Sequence, residues 1–204
     1  WQQNKKDQAI GAYKKYVEKA PADAKTIRTI GDFEYTKKNY PEAVKYYGMV
    51  TGADSKTADF MLRYGDAVYQ TNDLKKATEI FKAIAVANPK NPEPYKTLYE
   101  IAKKDNNNAA AAEYLKQFTA LKPNDAFALK LLGDNYYELK NNQGALTAYR
   151  AVLKNDSTAK GFHKRYVELV NQSGTPDEKI KALSGAIAAG EVEPQMYSQL
   201  GNLY

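Results

Sequence analysis

The sequence predicts an all-α fold, a solenoid of antiparallel helix pairs stacked along the chain. Three observations predict it. Ala9, Ala43, Ala77, Ala111 and Ala145 recur at a constant step of about 34 residues, a period found among helix-pair repeats. The residue four places after each alanine is large and apolar: Tyr13, Tyr47, Phe81, Leu115 and Tyr149. Gly31, Gly65 and Gly133 keep the same step upstream, and Pro21, Pro89 and Pro123 keep it downstream, in a register shared by Ser55 and Ser157. One helix pair alone cannot bury its apolar face, so neighbouring pairs must stack to make a core.

The clearest unit is residues 126–157. Leu129, Leu132, Gly133 and Tyr136 share one face of a first helix, and Ala145, Tyr149 and Val152 share one face of a second, at the spacing that makes helical neighbours. Gly133 and Ala145 are small where the two helices approach, and Tyr149 fills the space between neighbouring units.

Taken in order, residues 1–23 hold Ala9, Tyr13, Tyr16 and Pro21 and read as the second helix of a half-repeat. Full repeats follow at 24–57, 58–91, 92–125 and 126–159. A polar turn divides each: Lys38-Asn39, Thr71-Asn72-Asp73, Asp105 to Asn108, and Lys140-Asn141-Asn142. Asn and Asp suit such turns because they tolerate left-handed backbone and bond nearby amides, and Pro41 suits the first turn of a helix. In 92–125, Tyr99 takes the place of the small residue, and the facing Ala109 to Ala112 offer compensating room.

Residues 160–194 form a degenerate repeat, with Val167 at the glycine position and His163 at the leading large position. Thr175 with Glu178 reads as a capping box, Pro176 as the first helical residue and Gly190 as the stop. Residues 195–204 match another first helix through Tyr197, Leu200, Gly201 and Tyr204, either as a half-repeat or as a capping helix. Half-repeats at both ends are expected of a piece of a longer array.

The 204 residues include no cysteine, which excludes disulfides, thiolate zinc sites and cysteine nucleophiles. The net charge of +6 is mild and both signs are interspersed, so it favours nucleic acid or acidic membranes only weakly. No apolar run approaches the length of a membrane span. His163, the sole histidine, is expected to pack between helices rather than act as a base or metal ligand. No glycine-rich phosphate loop, zinc-protease helix or nucleophile elbow is present. The chain is therefore expected to be no enzyme and to hold no metal or cofactor. Most of its 17 tyrosines are expected to serve the core.

The motif Leu129-Leu132-Gly133-Tyr136-Ala145-Tyr149, and its counterpart Met61-Gly65-Ala77-Phe81-Pro89, resembles the tetratricopeptide repeat family. The resemblance covers nearly the whole chain. It implies an α-α superhelix, a right-handed solenoid whose first helices line a concave groove, and it implies a binding scaffold with no catalytic residues. In such a groove the fifth, ninth and twelfth residues of each unit face the ligand. Here the fifth is Arg28, Leu62, Lys96, Lys130 or Lys164. The ninth is Asp32, Asp66, Glu100, Asp134 or Glu168. The twelfth is Tyr35, Tyr69, Lys103, Tyr137 or Asn171. Cation and acid lie four apart and meet on one helix face. The expected partner-binding residues are thus Arg28, Asp32, Tyr35, Asp66, Tyr69, Lys96, Glu100, Lys130, Asp134 and Tyr137.

The expected ligand is a protein or peptide segment, extended or helical. Members of the family that grip a C-terminal carboxylate use a cation at the fifth position and Asn at the ninth. The acid at the ninth position here argues against that ligand and for one that is basic or of mixed charge. Two other readings stand beside it. One is self-assembly, with a homodimer or end-to-end stack formed through the incomplete terminal repeats. The other is weak binding of an acidic polymer, a nucleic acid or a glycan, although no specific nucleic acid is expected.

Overall fold

A computed structural model describes every residue except Trp1, Pro21 and Ala22, with side chains from Lys5 onward. Pro21, expected to close the first half-repeat, lies outside the described residues. Twelve α-helices and no strand are found among them. They are α1 (Gln2–Lys19), α2 (Ala24–Thr36), α3 (Tyr40–Tyr47), α4 (Ala58–Gln70), α5 (Leu74–Ala87), α6 (Glu93–Lys104), α7 (Asn108–Leu121), α8 (Ala126–Glu138), α9 (Asn142–Asn155), α10 (His163–Ser173), α11 (Pro176–Ala189) and α12 (Pro194–Leu203).

The chain forms two compact units, residues 1–101 and 102–204. In the first, α1 packs on α2, α2 on α3, α3 on α4 and α4 on α5. In the second, α7 packs on α8, α8 on α9, α9 on α10, α10 on α11 and α11 on α12. Every helix in these two series packs on its neighbour along the chain, as stacked pairs require.

The repeat positions account for this packing. Ala43, Ala77, Ala111 and Ala145 are all fully buried. A methyl group added at Gly31 would lie 2.6 Å from the Tyr47 ring, and one at Gly133 would lie 2.5 Å from the Tyr149 ring. Glycine is therefore required where the second-helix tyrosine lies flat against the first helix. At Gly65 the facing ring is Phe81, at 3.1 Å. Tyr47 then meets the next pair through Phe60, 5.5 Å away edge-on, and Tyr149 does so through Phe162, stacked at 5.2 Å. These aromatic pairs add to the area that their burial removes from water.

Turn chemistry repeats as well. Lys38, Asn72, Asn106 and Lys140 take left-handed backbone, with φ between 54° and 66°. The next residue begins the second helix. Asp73, Asn107 and Asn141 each accept a hydrogen bond from a backbone N–H three residues on, as N-caps. The side chain of Asn39 instead donates to Glu34 at 2.8 Å. At α11, Thr175 accepts from the Glu178 N–H at 3.3 Å, Pro176 opens the helix and left-handed Gly190 ends it.

Three expectations need correction. First, the left-handed turn residue is Lys rather than Asn in two of the four turns, because the period fixes the backbone there whatever the side chain. Second, the capping box is half made: the Glu178 carboxylate accepts from Arg150 at 2.8 Å and Tyr166 at 3.3 Å instead of returning to Thr175. Third, in α1 the buried residues are Ile10 and Val17, while Ala9 and Tyr13 are exposed. Among the described residues no helix covers the face that carries Ala9 and Tyr13. The tyrosines serve the core as expected: Tyr46, Tyr47, Tyr149 and Tyr166 are buried, and Tyr35, Tyr40, Tyr64, Tyr136 and Tyr137 pack half-buried against it.

Two predictions follow from the packing. Gly133→Ala forces a methyl into the Tyr149 ring and should destabilise the chain in urea by roughly 1–3 kcal/mol, despite alanine's better helix propensity. Lys140→Asn relieves a left-handed lysine and should stabilise by about 0.5–1 kcal/mol. Unchanged urea midpoints for both would contradict this packing.

Candidate interaction face

On α2 of the first unit, Arg28, Asp32 and Tyr35 fall on one helix face, and Asp66 and Tyr69 do so on α4. The charged groups are held by one another. Asp32 accepts from the Tyr47 hydroxyl at 2.7 Å, and Arg28 and Arg63 lie 3.8 and 3.5 Å from it. Tyr35 donates its hydroxyl to Asp66 on the next first helix, and Gln70 adds a bond to the same carboxylate at 3.4 Å. Asp59 joins Arg28 and lies 3.5 Å from Arg63. Tyr69 is half-buried on the same face; burial, with the nearby charges of Glu100 and Asp66, raises its phenol above the usual range. Lys96 and Glu100 are exposed on α6.

The second unit repeats the arrangement. Asp134 accepts from the Tyr149 hydroxyl at 2.8 Å, from Arg165 at 2.7 Å and from Lys130 at 2.9 Å. Tyr137 donates to Glu168 on α10, and its ring lies 5.4 Å from the Arg165 guanidinium, a cation–π contact. Beside these groups is a hollow of about 490 Å³ lined by Lys130, Asp134, Gly161, Phe162, Arg165 and their neighbours. A smaller one of about 300 Å³ lies between α10 and α12, floored by Val167 and Met196 and walled by Lys164, Glu168, Asn171 and Gln199.

In both units, then, the ninth-position acid serves as an anchor. It takes a hydroxyl from its own second helix and a guanidinium from the next first helix. The twelfth-position tyrosine reaches forward to the next acid. Sequence reasoning placed the cation, acid and tyrosine columns on one face but missed Arg63 and Arg165. Both sit one residue beyond the fifth position. The signal that finds them is a comparison across three repeat periods, which superposes Asp32 on Asp134, Tyr47 on Tyr149, Phe60 on Phe162 and Arg63 on Arg165.

His163 is buried, stacks on Phe162 at 4.4 Å and has Nδ1 3.2 Å from Glu191. Glu191 also accepts the backbone N–H groups of Gly161 and His163, closing the start of α10 from a distance. Burial pushes the Glu191 carboxyl up, but these donors hold it below the usual range. The ring between the helix pairs is Phe162, one residue before the position expected. Among the described residues no group of three metal-ligating side chains occurs, and no helix is long and apolar enough to cross a membrane.

The tyrosine bonds carry a pH signature. Burial, and then the hydrogen bond to Asp66, push the Tyr35 phenol up to about 12. In the unfolded chain it ionises near 10. The folded state is thus at full strength below pH ~10 and loses stability as pH rises from ~10 to ~12, where only the unfolded chain has released the proton. Tyr35→Phe should make this alkaline decline shallower, as read from urea midpoints against pH. Equal slopes for the two proteins would contradict the Tyr35–Asp66 bond.

A sequence profile of the tetratricopeptide repeat family matches residues 29–92 and 100–160. No curated protein matches the sequence. Among solved structures, MamA AMB-1 is 19% identical with a TM-score of 0.62, covering 84% of this chain and 94% of its own. MamA of Desulfovibrio magneticus RS-1 is 18% identical with a TM-score of 0.59, covering 82% and 93%. YrrB, described as a TPR protein with an unusual peptide-binding site, is 18% identical with a TM-score of 0.62, covering 94% and 98%. At such identity these likenesses speak for the fold alone, an all-α solenoid of antiparallel helix pairs. With the profile match over more than half its length, the chain belongs to the tetratricopeptide repeat family.

Proposed function

We propose that this protein is a non-catalytic interaction scaffold whose first-helix faces take a partner peptide or helix of mixed charge. The observation that carries this reading is the fixed array of charged and phenolic groups on those faces. The rings of Tyr35 and Tyr137 lean on the two apolar cores, while their hydroxyls are tied to acids on the face. Hydrogen bonds hold Arg63, Arg165, Tyr35 and Tyr137 in place before any partner arrives. Groups ordered in advance lose less entropy on binding, and tyrosine supplies contact area with few rotatable bonds. Asp32, Asp66, Asp134 and Glu168 of the ninth column are themselves bonded, so a partner meets a face of both signs rather than a bare acidic one. YrrB's peptide-binding site agrees with a peptide as the class of ligand.

The test is affinity capture from native lysate, comparing the wild-type chain with a variant carrying Tyr69→Ala, Lys130→Ala and Tyr137→Ala. All three side chains are half-buried and Tyr137 leans on the core, so the variant should keep its helical spectrum but melt below wild type. A partner held by the wild type should be lost from the variant. The same partners on both proteins would move binding to the opposite face or the chain ends, and an unfolded variant would show that these side chains belong to the core. Capture of nucleic acid with a steep salt dependence would instead favour an acidic polymer as ligand.

A further inference from the structure

The two units carry one constellation twice. Three repeat periods separate Arg28 from Lys130, Asp32 from Asp134, Tyr35 from Tyr137, Arg63 from Arg165 and Asp66 from Glu168. The bonds recur with the residues. A second-helix hydroxyl reaches the inner acid at 2.7 Å in one unit and 2.8 Å in the other. The same acid takes an arginine of the next first helix in both. The forward bond from Tyr35 to Asp66 has its counterpart from Tyr137 to Glu168. Intervening repeats lack the set: Phe81, at the position of Tyr47 and Tyr149, has no hydroxyl, and Thr97 stands where Arg63 and Arg165 do.

In each copy the arginine is the outer member of its pair. The Arg63 side chain is 44% exposed against 30% for Asp32, and Arg165 is 41% exposed against 14% for Asp134. The acid is already satisfied from within, so the group presented outward is a guanidinium on a fixed stem. Such a group binds carboxylates well, because its planar fork matches two oxygens.

We infer that the chain is bivalent, its two units each taking one copy of the same short mixed-charge peptide with an acidic side chain on Arg63 in one unit and on Arg165 in the other. The inference rests on the peptide-binding reading above. The two faces differ in one respect that gives their affinities an order. Asp59 sits on Arg28 and Arg63 in the first unit, and its counterpart Gly161 has no side chain to compete for Arg165. The second unit is therefore the tighter site.

The test uses the full chain and a peptide selected on it from a phage-displayed library of random dodecamers, titrated by calorimetry. Selected peptides should carry an acidic residue, and two should bind per chain with unequal affinities. Arg165→Gln should remove the tighter event and Arg63→Gln the weaker, each leaving one. Asp59→Gly, at a side chain 63% exposed, should tighten the weaker site several-fold without touching either arginine. One peptide per chain, or a loss caused by only one of the arginine variants, would overturn bivalency while leaving peptide binding intact. A library that yields no binder would overturn the peptide-binding reading itself.

Discussion

The carboxylate of Asp134, like that of Asp32 in the other unit, joins the packing of the fold to the chemistry of its face. Behind it lies Tyr149, fully buried against Gly133, whose ring makes the core and whose hydroxyl reaches the acid. In front of it lies Arg165 from the next first helix. A tyrosine buried in an apolar stack must satisfy its hydroxyl, and the acid on the first helix is the group in reach. An acid held that closely needs a cation, and the arginine of the next repeat supplies it. The burial of one aromatic ring thus determines where a charged surface residue stands.

This chain of dependence explains why the face is ordered. In a solenoid each repeat touches only its neighbours, so order must pass from one to the next. Here it passes twice. The apolar route runs from Tyr149 to Phe162 and Tyr166. The polar route runs from Asp134 to Arg165 and from Tyr137 to Glu168. The polar route lies on the first-helix face, so the bonds that tie repeats together also fix the charged and phenolic groups of that face.

Much of this was legible in the sequence. The alanine and glycine registers gave the helices, and Gly133 and Tyr149 meet as their spacing implied. Arg28 meets Asp32 and Lys130 meets Asp134 along one helix, as their spacing of four implied. The rest was hidden for physical reasons. Arg63 and Arg165 occur in two repeats only, so a column read one period at a time passes over them. Their meaning depends on Tyr47 and Tyr149 having hydroxyls where Phe81 has none. Lys38 and Lys140 take left-handed backbone because the turn length demands it, against their own preference. Tyr13 has the repeat's packing position but is exposed, with no described helix over it, so position alone overstated its burial.

The most direct test of this account is a double-mutant cycle on Asp134 and Arg165, with Asp134→Ala, Arg165→Ala and the pair compared by urea denaturation. The account predicts a favourable coupling of about 0.5–3 kcal/mol, the range for residues that share a bonded network. Strictly additive losses would show that the two side chains do not depend on each other, and the polar route between repeats would have to be given up.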